Sequence, residues 1–351
     1  ILKRYKDANL PKHQIIDLKK YNLEKKSWIS SKTLEKVKIH LTKGDQILFF
    51  LNRRGFSPFV LCKKCINVFS CPNCSINLVF HKKNNQLLCH YCGYKTGLDR
   101  DCTDKKKCEL AFSGPGVEKI YEEVKSIFSN YKSAIFSSDT MNKKSSTKIL
   151  NEIIENKINI LIGTQMISKG FHFPNLNCIV VLDIDLTSRG HDLRAAEKNL
   201  QLYHQLSGRA GRAGKPAKVY FQTYNLNSDV ISQITSQDPF IFLEKELVLR
   251  KNHTLPPFER FIALIITSPD QEKLKKESFI LQERLDKKLN CKVLGPVEAP
   301  IFKIKKNYRN RILIRAKKDI NIQKKLSEAL KSYNCPSGIK LIVDVDPISF
   351  N

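Results

Sequence analysis

The chain has 351 residues, of which 41% are hydrophobic and 27% charged, so it can bury a core and is neither disordered nor fibrous. Its length suits two or three domains, and its apolar runs are far too short to cross a bilayer. Lysine and arginine number 61 against 34 acidic residues, and the formal net charge of +27 favours a polyanionic partner, above all nucleic acid. The abundance of Lys, Ile and Asn also fits an AT-rich genome, so charge alone does not decide the function.

The segments before residue 60 and after residue 113 predict a parallel α/β domain. An amphipathic helix over residues 31–43, with Leu34, Val37 and Leu41 on one face, precedes a buried strand over 47–51. Strands are predicted further along at 134–136, 158–162 and 179–182, with helices starting at Gly116 and covering 148–156. This alternation is typical of a parallel sheet flanked by helices, with a cysteine-rich block inserted between its first strand and the next helix.

The cysteine-rich block predicts metal binding. Eight of the eleven cysteines form four pairs, which are Cys62 with Cys65, Cys71 with Cys74, Cys89 with Cys92, and Cys102 with Cys108. No leader opens the sequence, so metal or catalysis is favoured over disulfides. Two C-x-x-C knuckles complete one tetrahedral zinc site, and eight thiolates therefore predict two closed structural zinc sites per chain. Buried thiols without metal fit the repeated short spacing poorly, and an iron–sulfur cluster is the chemical alternative.

The pairing of the knuckles could be sequential or nested, and we favour the nested arrangement. It joins Cys71 and Cys74 to Cys89 and Cys92 at a spacing close to that of ordinary zinc ribbons. The pair Cys62 and Cys65 then closes with Cys102 and Cys108, whose longer separation leaves this outer site less constrained.

Beyond Pro256 the pattern changes to a compact mixed unit. The predicted elements are a strand at 261–267, a helix at 272–289, strands at 292–294 and 311–315, a helix at 321–333 and a strand at 340–345. The order βαββαβ predicts a small α+β sandwich of the ferredoxin-like kind.

A basic segment joins the two central strands of this unit. Residues 302–318 contain eight lysines and arginines and no acid, with Tyr308 in the middle. Lys305, Lys306 and Arg309 are therefore candidates for binding a nucleic-acid backbone. The alternative is a solvated hairpin.

Two motifs indicate phosphate chemistry. Residues 163–170 (GTQMISKG) leave a buried strand for a polar turn, and residues 205–212 (QLSGRAGR) are predicted to start a helix with Arg209 and Arg212 on one face. Both guanidinium groups could then reach a polyphosphate on an opposing lobe and stabilise charge on a transferring phosphoryl group. An R-x-x-R segment alone usually marks a solvated helix. Its combination with the motif at residues 163–170 is stronger evidence for phosphate chemistry.

These segments are similar to motifs V and VI of superfamily 2 helicases. With the strand end at residues 51–55 (LNRRG) and the cysteine block, the chain resembles the PriA family of bacterial replication-restart helicases, also called primosomal protein N-prime. The likeness continues through residues 255–257 (LPP), 294–297 (LGPV) and 343–347 (VDVDP).

The resemblance implies a RecA-like helicase lobe with a parallel sheet, an inserted two-zinc module and a ferredoxin-like C-terminal domain. Residues 1–24 would be a linker after a first motor lobe, and residues 25–60 and 112–255 the second lobe. Residues 61–111 would be the zinc-binding insertion, and residues 256–351 the domain that binds DNA and partners.

The resemblance also implies roles for single residues. Arg209 and Arg212, assisted by Gln205, would act as arginine fingers on the ATP γ-phosphate, and Gly170 would join them in nucleotide binding. Thr164 and Lys169 would contact the DNA backbone. The residues expected to bind DNA are Arg53, Thr164, Lys169, Lys305, Lys306 and Arg309.

The family's activity implies cofactors and partners. It translocates 3′ to 5′ on single-stranded DNA, unwinds forks and helps to reload the replicative helicase, which implies ATP, magnesium and zinc as cofactors. The implied partners are forked and single-stranded DNA, single-strand-binding protein, primosome proteins and the replicative helicase, in the cytoplasm and without a membrane.

The chain departs from a complete motor. It contains no G-x-x-x-x-G-K-[ST] phosphate loop and no DExx/DExH motif, which in the family belong to the first lobe. We therefore expect no ATP hydrolysis by this chain alone, and an opening residue other than Met predicts a fragment or a split gene. The alternative function is a catalytically silent zinc-ribbon module that binds DNA and recruits partners.

Overall fold

The structure is a computed structural model. It describes residues 10–24, 27–52, 60–62, 69, 71–72, 78–81, 85–89, 93–98, 110–112, 116–137, 143–168, 173–187, 194–212, 214–235 and 240–347. These residues divide into two compact units. The first takes in residues 1–57, 113–188 and 195–242, and the second takes in residues 58–112, 189–194 and 243–351.

The described residues form strands and helices that are numbered in chain order. The strands are β1 Lys12–Asp17, β2 Gln46–Phe50, β3 Val60–Cys62, β4 Val79–His81, β5 Gln86–Leu88, β6 Lys95–Thr96, β7 Leu110–Phe112, β8 Ser133–Phe136, β9 Ile160–Gly163, β10 Leu176–Val181, β11 Lys218–Thr223, β12 Glu259–Ser268, β13 Lys292–Ile304, β14 Asn307–Lys317 and β15 Lys340–Val345. The helices are α1 Ser31–Thr42, α2 Val117–Ile127, α3 Lys143–Ile154, α4 Ile184–Thr187, α5 Ala195–Ser207, α6 Asp229–Thr235, α7 Phe240–Asn252, α8 Gln271–Lys288 and α9 Ile322–Lys331. None of the described helices is long and apolar enough to cross a membrane.

The first unit is built on a six-stranded sheet in the order β1-β11-β10-β2-β9-β8, in which every neighbouring pair is parallel. Central strand β2 is buried throughout. Its residues alternate between two cores, since Leu48 and Phe50 pack on one face of the sheet and Ile47 and Phe49 on the other. The predicted parallel α/β architecture is therefore confirmed.

Two strands of this sheet were not predicted from the sequence. Strand β1 forms an edge of the sheet within the segment expected to be a linker, and β11 lies between β1 and β10. The cysteine-rich block consequently follows the second strand of the sheet rather than the first. The residues of β1 (KHQIID) include four polar or charged side chains, which is why the apolar pattern did not reveal it.

The second unit contains the predicted βαββαβ order. The four strands of this βαββαβ unit form an antiparallel sheet in the order β13-β14-β12-β15. Residues Ile262 and Leu264 on β12 pack in one core with Leu281 of α8 and Leu326 of α9. The helices therefore cover one face of the sheet.

The opposite face of this sheet is covered by the cysteine-rich insertion. Strands β4, β5 and β6 form a small antiparallel ribbon. Its residues Leu78 and Leu87 are buried in one cluster with Phe261 and Ala263 of β12 and Leu313 of β14. This packing explains why the central strands of the C-terminal sheet are apolar at consecutive positions instead of alternating.

Arg315 on β14 is at the centre of a buried polar cluster. Its Nη2 lies 2.8 Å from the Oε2 of Glu259 and donates to the carbonyl oxygen of Thr254 at 2.8 Å. The guanidinium group also lies 5.3 Å from the ring centroid of Phe261. Because the side chain is only 6% exposed, this arginine stabilises the fold and is not part of a DNA-facing basic segment, contrary to the expectation for residues 302–318.

We expect Arg315→Ala to lower the free energy of unfolding of the C-terminal sheet by about 3–5 kcal/mol, because it leaves the Glu259 carboxylate, only 16% exposed, without its partner. Hydrogen exchange of the β12 and β14 amides measures this change. The matched control is Arg260→Ala on the same sheet, whose ion pair with Asp346 is 37% and 53% exposed. Loss of such a pair costs at most about 1 kcal/mol. Equal effects of the two substitutions would contradict the structural role of Arg315.

Candidate functional site

Polar side chains collect where three neighbouring strands of the parallel sheet end. Asn52 follows β2, Gln165 follows β9 and Asp183 follows β10. The backbone N–H of Asn52 donates to Oδ2 of Asp183 at 2.9 Å, and Nε2 of Gln165 donates to Oδ1 of Asn52 at 2.7 Å. Nδ2 of Asn52 in turn donates to Oδ1 of Asn199 in α5 at 2.5 Å. This network fixes the carboxyl edge of the sheet to the first half of α5.

Gly163 allows the chain to turn sharply at the end of β9. A Cβ at this position would overlap Cδ1 of Ile167 and would lie 3.0 Å from the carbonyl oxygen of Phe136, so any side chain here would require Ile167 to move. The residues that follow form a short 3₁₀ turn, Gln165–Ser168, which packs against α5. The two motifs identified in the sequence are therefore joined through this helix.

Thr164 is the first residue after β9 and one of the predicted DNA contacts. It is buried, with 3% of its surface exposed, and its Oγ1 makes no hydrogen bond to any residue in the described part of the chain. A buried hydroxyl without such a partner is unusual and is typical of a position that a ligand or water completes.

The arginine-containing segment lies at the end of a helix and not at its start. Gln205 is exposed in the last turn of α5, and Arg209 and Arg212 follow in consecutive turns. The expected helix start is therefore wrong. Helix α5 ends at Ser207, and beyond it Gly211 adopts a φ of 71°, in the left-handed region, and donates its N–H to the carbonyl oxygen of Leu176 at 3.2 Å.

The two arginines lie close enough to interact electrostatically. Burial, and then the positive charge of Arg212, lowers the pKa of Arg209. A guanidinium group nevertheless keeps its charge in proteins. Nε of Arg212 donates to the carbonyl oxygen of Gly208 at 3.0 Å, while Leu206 and Ala210 are fully buried in the core. Apolar anchors on both sides of Arg209 thus hold a half-buried pair of cations at the surface of the lobe.

The arginine turn and Thr164 occupy opposite edges of the sheet. Leu176, which accepts the hydrogen bond of Gly211, starts β10, whereas Thr164 follows the carboxyl end of β9. Helix α5 has thirteen residues and is about 20 Å long, so it spans the sheet between the two positions. The structure connects the two motifs through a helix and does not place them side by side.

The cysteine-rich ribbon has a donor set that fits zinc. Cys71 and Cys89 come from two different knuckles, and both are buried in the same cluster. The N–H of Cys89 donates to the carbonyl oxygen of Tyr94 at 2.8 Å, and the N–H of Gly93 donates to that of Cys89 at 2.9 Å. Gly93 has a φ of 76° and completes a tight turn directly after the pair Cys89 and Cys92. Thiolates brought together in a dry environment are the ligands that zinc prefers.

Strand pairing brings the two ends of the insertion together. Strand β3 pairs with β7 in antiparallel register, with Cys62 opposite Leu110. Cys108 precedes Leu110 by two residues in the sequence. This register favours the nested arrangement of knuckles, because the first and last pairs belong to chain segments that meet.

The basic segment of the C-terminal domain forms the hairpin of β13 and β14. Lys305 and Lys306 are its two-residue turn, since Ile304 pairs with Asn307. Both lysines are exposed and have left-handed φ values of 46° and 68°. Asparagine and glycine are the residues that favour such a turn, so two lysines here carry a conformational cost.

The strand residues beside this turn divide into two groups. The amine of Lys303 lies 4.3 Å from the ring centroid of Tyr308 and Arg309 is half-buried, while Arg311 and Arg315 are buried. The exposed charge of the hairpin is therefore concentrated at its tip.

Several predicted site residues lie outside the described residues. These are Arg53, Lys169, Gly170, Cys65, Cys74, Cys92, Cys102 and Cys108. Asn52, Gln165, Asp183 and Asn199 are site residues that were not predicted from the sequence. The signal that could have identified three of them is a polar residue directly after an apolar strand, because the carboxyl ends of parallel strands form binding edges.

Three family models match successive parts of the chain. The PriA DNA helicase Cys-rich region (CRR) domain matches residues 71–96, and the helicase conserved C-terminal domain matches residues 102–214. The primosomal protein N C-terminal domain matches residues 251–348. With the parallel sheet, these matches define the class of the protein as the C-terminal lobe of a helicase that carries a cysteine-rich zinc ribbon and a further C-terminal domain.

Relatives that are similar over the whole chain define the family. The replication restart protein PriA of Rickettsia felis is 40% identical over 352 residues, which cover 100% of this chain and 54% of the relative. The proteins of the same name from Haemophilus influenzae and Bacillus subtilis are 35% and 33% identical and cover 98% and 96% of this chain. The chain belongs to the PriA family. It spans about half the length of these relatives, 48% and 43% in the last two cases.

Proposed function

We propose that this chain forms the C-terminal part of an ATP-dependent 3′-to-5′ DNA helicase, which recognises stalled or branched replication forks and restarts replication by primosome assembly. The observation that carries the proposal is helix α5, which joins the turn after Gly163 to the arginine turn at Arg209 and Arg212. A helicase motor has to link a site that senses phosphate to a site that holds DNA, and a helix that spans the sheet supplies such a link. A silent DNA-binding module has no need for the arginine pair.

Arg209 and Arg212 are the groups that we assign to catalysis. Their permanent charges would stabilise the negative charge that develops on the γ-phosphoryl group of ATP. The nucleotide and magnesium would be held by a first motor lobe of the kind that precedes this region in the family. Gln205, exposed in the last turn of α5, and Gly170 would complete the contribution of this lobe to nucleotide binding.

DNA would contact two parts of the chain. In the motor lobe, Thr164 would hydrogen-bond to the strand backbone through its Oγ1, which has no partner among the described residues. Lys169 and Arg53 would supply cations. In the C-terminal domain, the exposed lysines at the tip of the β13–β14 hairpin and Arg309 would contact phosphates. The partners would further include single-strand-binding protein, primosome proteins and the replicative helicase, in the cytoplasm.

Zinc would be bound at two sites in the insertion. Cys71, Cys74, Cys89 and Cys92 would form the inner site, and Cys62, Cys65, Cys102 and Cys108 the outer site. The shared burial of Cys71 and Cys89 supports the inner pairing, and the β3–β7 register supports the outer one. Both sites would have four protein ligands and would therefore be structural.

We expect no ATPase activity from the chain alone, and DNA-stimulated activity when the preceding half of a family member is added in trans. Replacing both Arg209 and Arg212 by Ala should lower that activity by about 10³-fold or more, because an arginine finger supplies a stabilisation of this size. DNA affinity, measured by fluorescence anisotropy, should change little. Arg260→Ala, at a side chain of β12 that is 37% exposed in the C-terminal domain, is the matched control. Retained ATPase in the double variant would show that the finger assignment is wrong.

Elemental analysis of the purified chain should give two zinc ions per molecule, and substitution by cobalt should give the absorption of thiolate-only coordination. Cys71→Ser should remove the inner metal and Cys102→Ser the outer one. A single metal that is insensitive to Cys102→Ser would mean that the irregular fourth pair does not bind. Visible absorption from iron in the protein as purified would instead indicate a cluster.

Replacing Lys305, Lys306 and Arg309 by Ala should flatten the dependence of DNA affinity on salt. Each lost phosphate contact lowers the slope of log K against log salt by about 0.7 for single strands. The control variant replaces Lys287 and Lys331, which are exposed elsewhere on the same domain. An unchanged slope would assign the hairpin lysines to a solvated surface without DNA contact.

A further inference from the structure

A small pocket lies where the cysteine-rich ribbon meets the C-terminal domain. It has a volume of about 190 Å³, several times the ~30 Å³ that one water molecule occupies in the liquid. It is smaller than the ~300–1,000 Å³ of pockets for drug-sized ligands. Strands β5 and β6 of the ribbon, helix α8 and the hairpin strands β13 and β14 all contribute lining residues. The size suits a single flat ring system.

The apolar part of the pocket contains two aromatic rings. Phe302 on β13 and Phe279 on α8 both line it, together with Pro296 of β13. Phe279 is 49% exposed, so one face of its ring is available to a ligand. Exposed aromatic rings in nucleic-acid-binding proteins serve as platforms on which bases stack.

The polar part of the pocket offers groups that match the edges of a base. Gln86 of the ribbon and Gln271 of α8 each present an amide, and within the described residues neither side chain makes a hydrogen bond. Asn310 is fixed by donating from Nδ2 to Oγ of Ser278 at 3.1 Å. Amides both donate and accept, and the carboxylate of Glu298 can accept from an exocyclic amine.

Two cations complete the lining. Lys95 of the ribbon and Lys275 of α8 are exposed, and neither forms an ion pair with a described residue. Phe302 lies on the strand that leads to the hairpin tip, three residues before Lys305. A DNA backbone that contacts the turn at Lys305 and Lys306 therefore passes close to the pocket. Lys95 and Lys275 could then neutralise the phosphates on either side of a base that enters it.

We propose that this pocket binds one unstacked base of single-stranded DNA, which stacks on Phe279 or Phe302 while the ribbon and C-terminal amides contact its edge. The proposal rests on the proposed function in one respect, since it requires that the hairpin contacts the DNA backbone. It adds a contact to a base and gives the cysteine-rich ribbon a direct part in strand binding.

The test compares two oligonucleotides of about 12 nucleotides, a size within the range of single-strand binding sites, one with bases and one abasic throughout. Both have the same phosphates, so backbone contacts are equal and only base contacts differ. The zinc-loaded chain should bind the base-containing strand about 5- to 150-fold more tightly, the range expected for one stacked base. At least one of the variants Phe279→Leu and Phe302→Leu, the one that removes the stacking ring, should reduce this ratio towards one. Phe240→Leu, a control at an exposed ring of α7 outside the pocket, should leave it unchanged.

The outcomes separate the pocket from the rest of the proposed function. A ratio that stays high in both pocket variants would overturn the pocket, and so would equal binding of the two strands by the unchanged chain. In either case, if the variant with Ala at positions 305, 306 and 309 binds both strands more weakly, the proposed contact between the hairpin and the DNA backbone still holds. If neither strand binds to the unchanged chain, the pocket and the DNA-binding role of the hairpin are both wrong.

Discussion

The parallel arrangement of the six strands is the constraint on which the motor lobe depends. When all strands run the same way, their carboxyl ends meet at one edge and every connecting helix has to return to the other edge. The residues that follow β2, β9 and β10 therefore come together, which is how Asn52, Gln165 and Asp183 form one network. Helix α5 starts from this network and ends at the arginine turn beside the first residue of β10. The separation of the two motifs is thus a direct consequence of strand direction.

In the second unit, the sheet is stabilised only because two different structures cover its faces. Helices α8 and α9 bury one set of alternating residues and the cysteine-rich ribbon buries the other. The ribbon lies close to the sheet, since a Cβ at Gly93 of the ribbon would lie 2.7 Å from Cγ1 of Val297 on β13. Cys71 and Cys89 belong to the same buried cluster as Phe261 and Leu313. Metal binding in the ribbon and stability of the C-terminal sheet are therefore linked, because metal ligation supplies part of the folding free energy of such modules.

Elements with strong periodicity could be predicted from the sequence, and those fixed by distant partners could not. Helix α1 and the βαββαβ order of the C-terminal domain agree with their apolar patterns. Strand β1 is an edge with polar residues, so its pairing with β11 decides its conformation. The expected start of a helix at residue 205 is wrong because α5 already begins at Ala195 and residue 205 lies in its last turn. Likewise, a local count of charges could not show that Arg315 is paired with Glu259, 56 residues away.

The linkage through α5 also limits how the motor lobe can respond to its ligands. Leu206 and Ala210 are buried in the core on either side of Arg209, so the arginine turn cannot shift without moving the end of the helix. In the first half of α5, Asn199 accepts a hydrogen bond from Asn52. Asn52 in turn accepts a hydrogen bond from Gln165, which follows Thr164. Helix α5 and its hydrogen-bonded network thus form a contiguous physical connection between the arginine turn and the turn after β9. If these two places bind nucleotide and DNA as proposed, α5 is the element through which the two sites would be coupled.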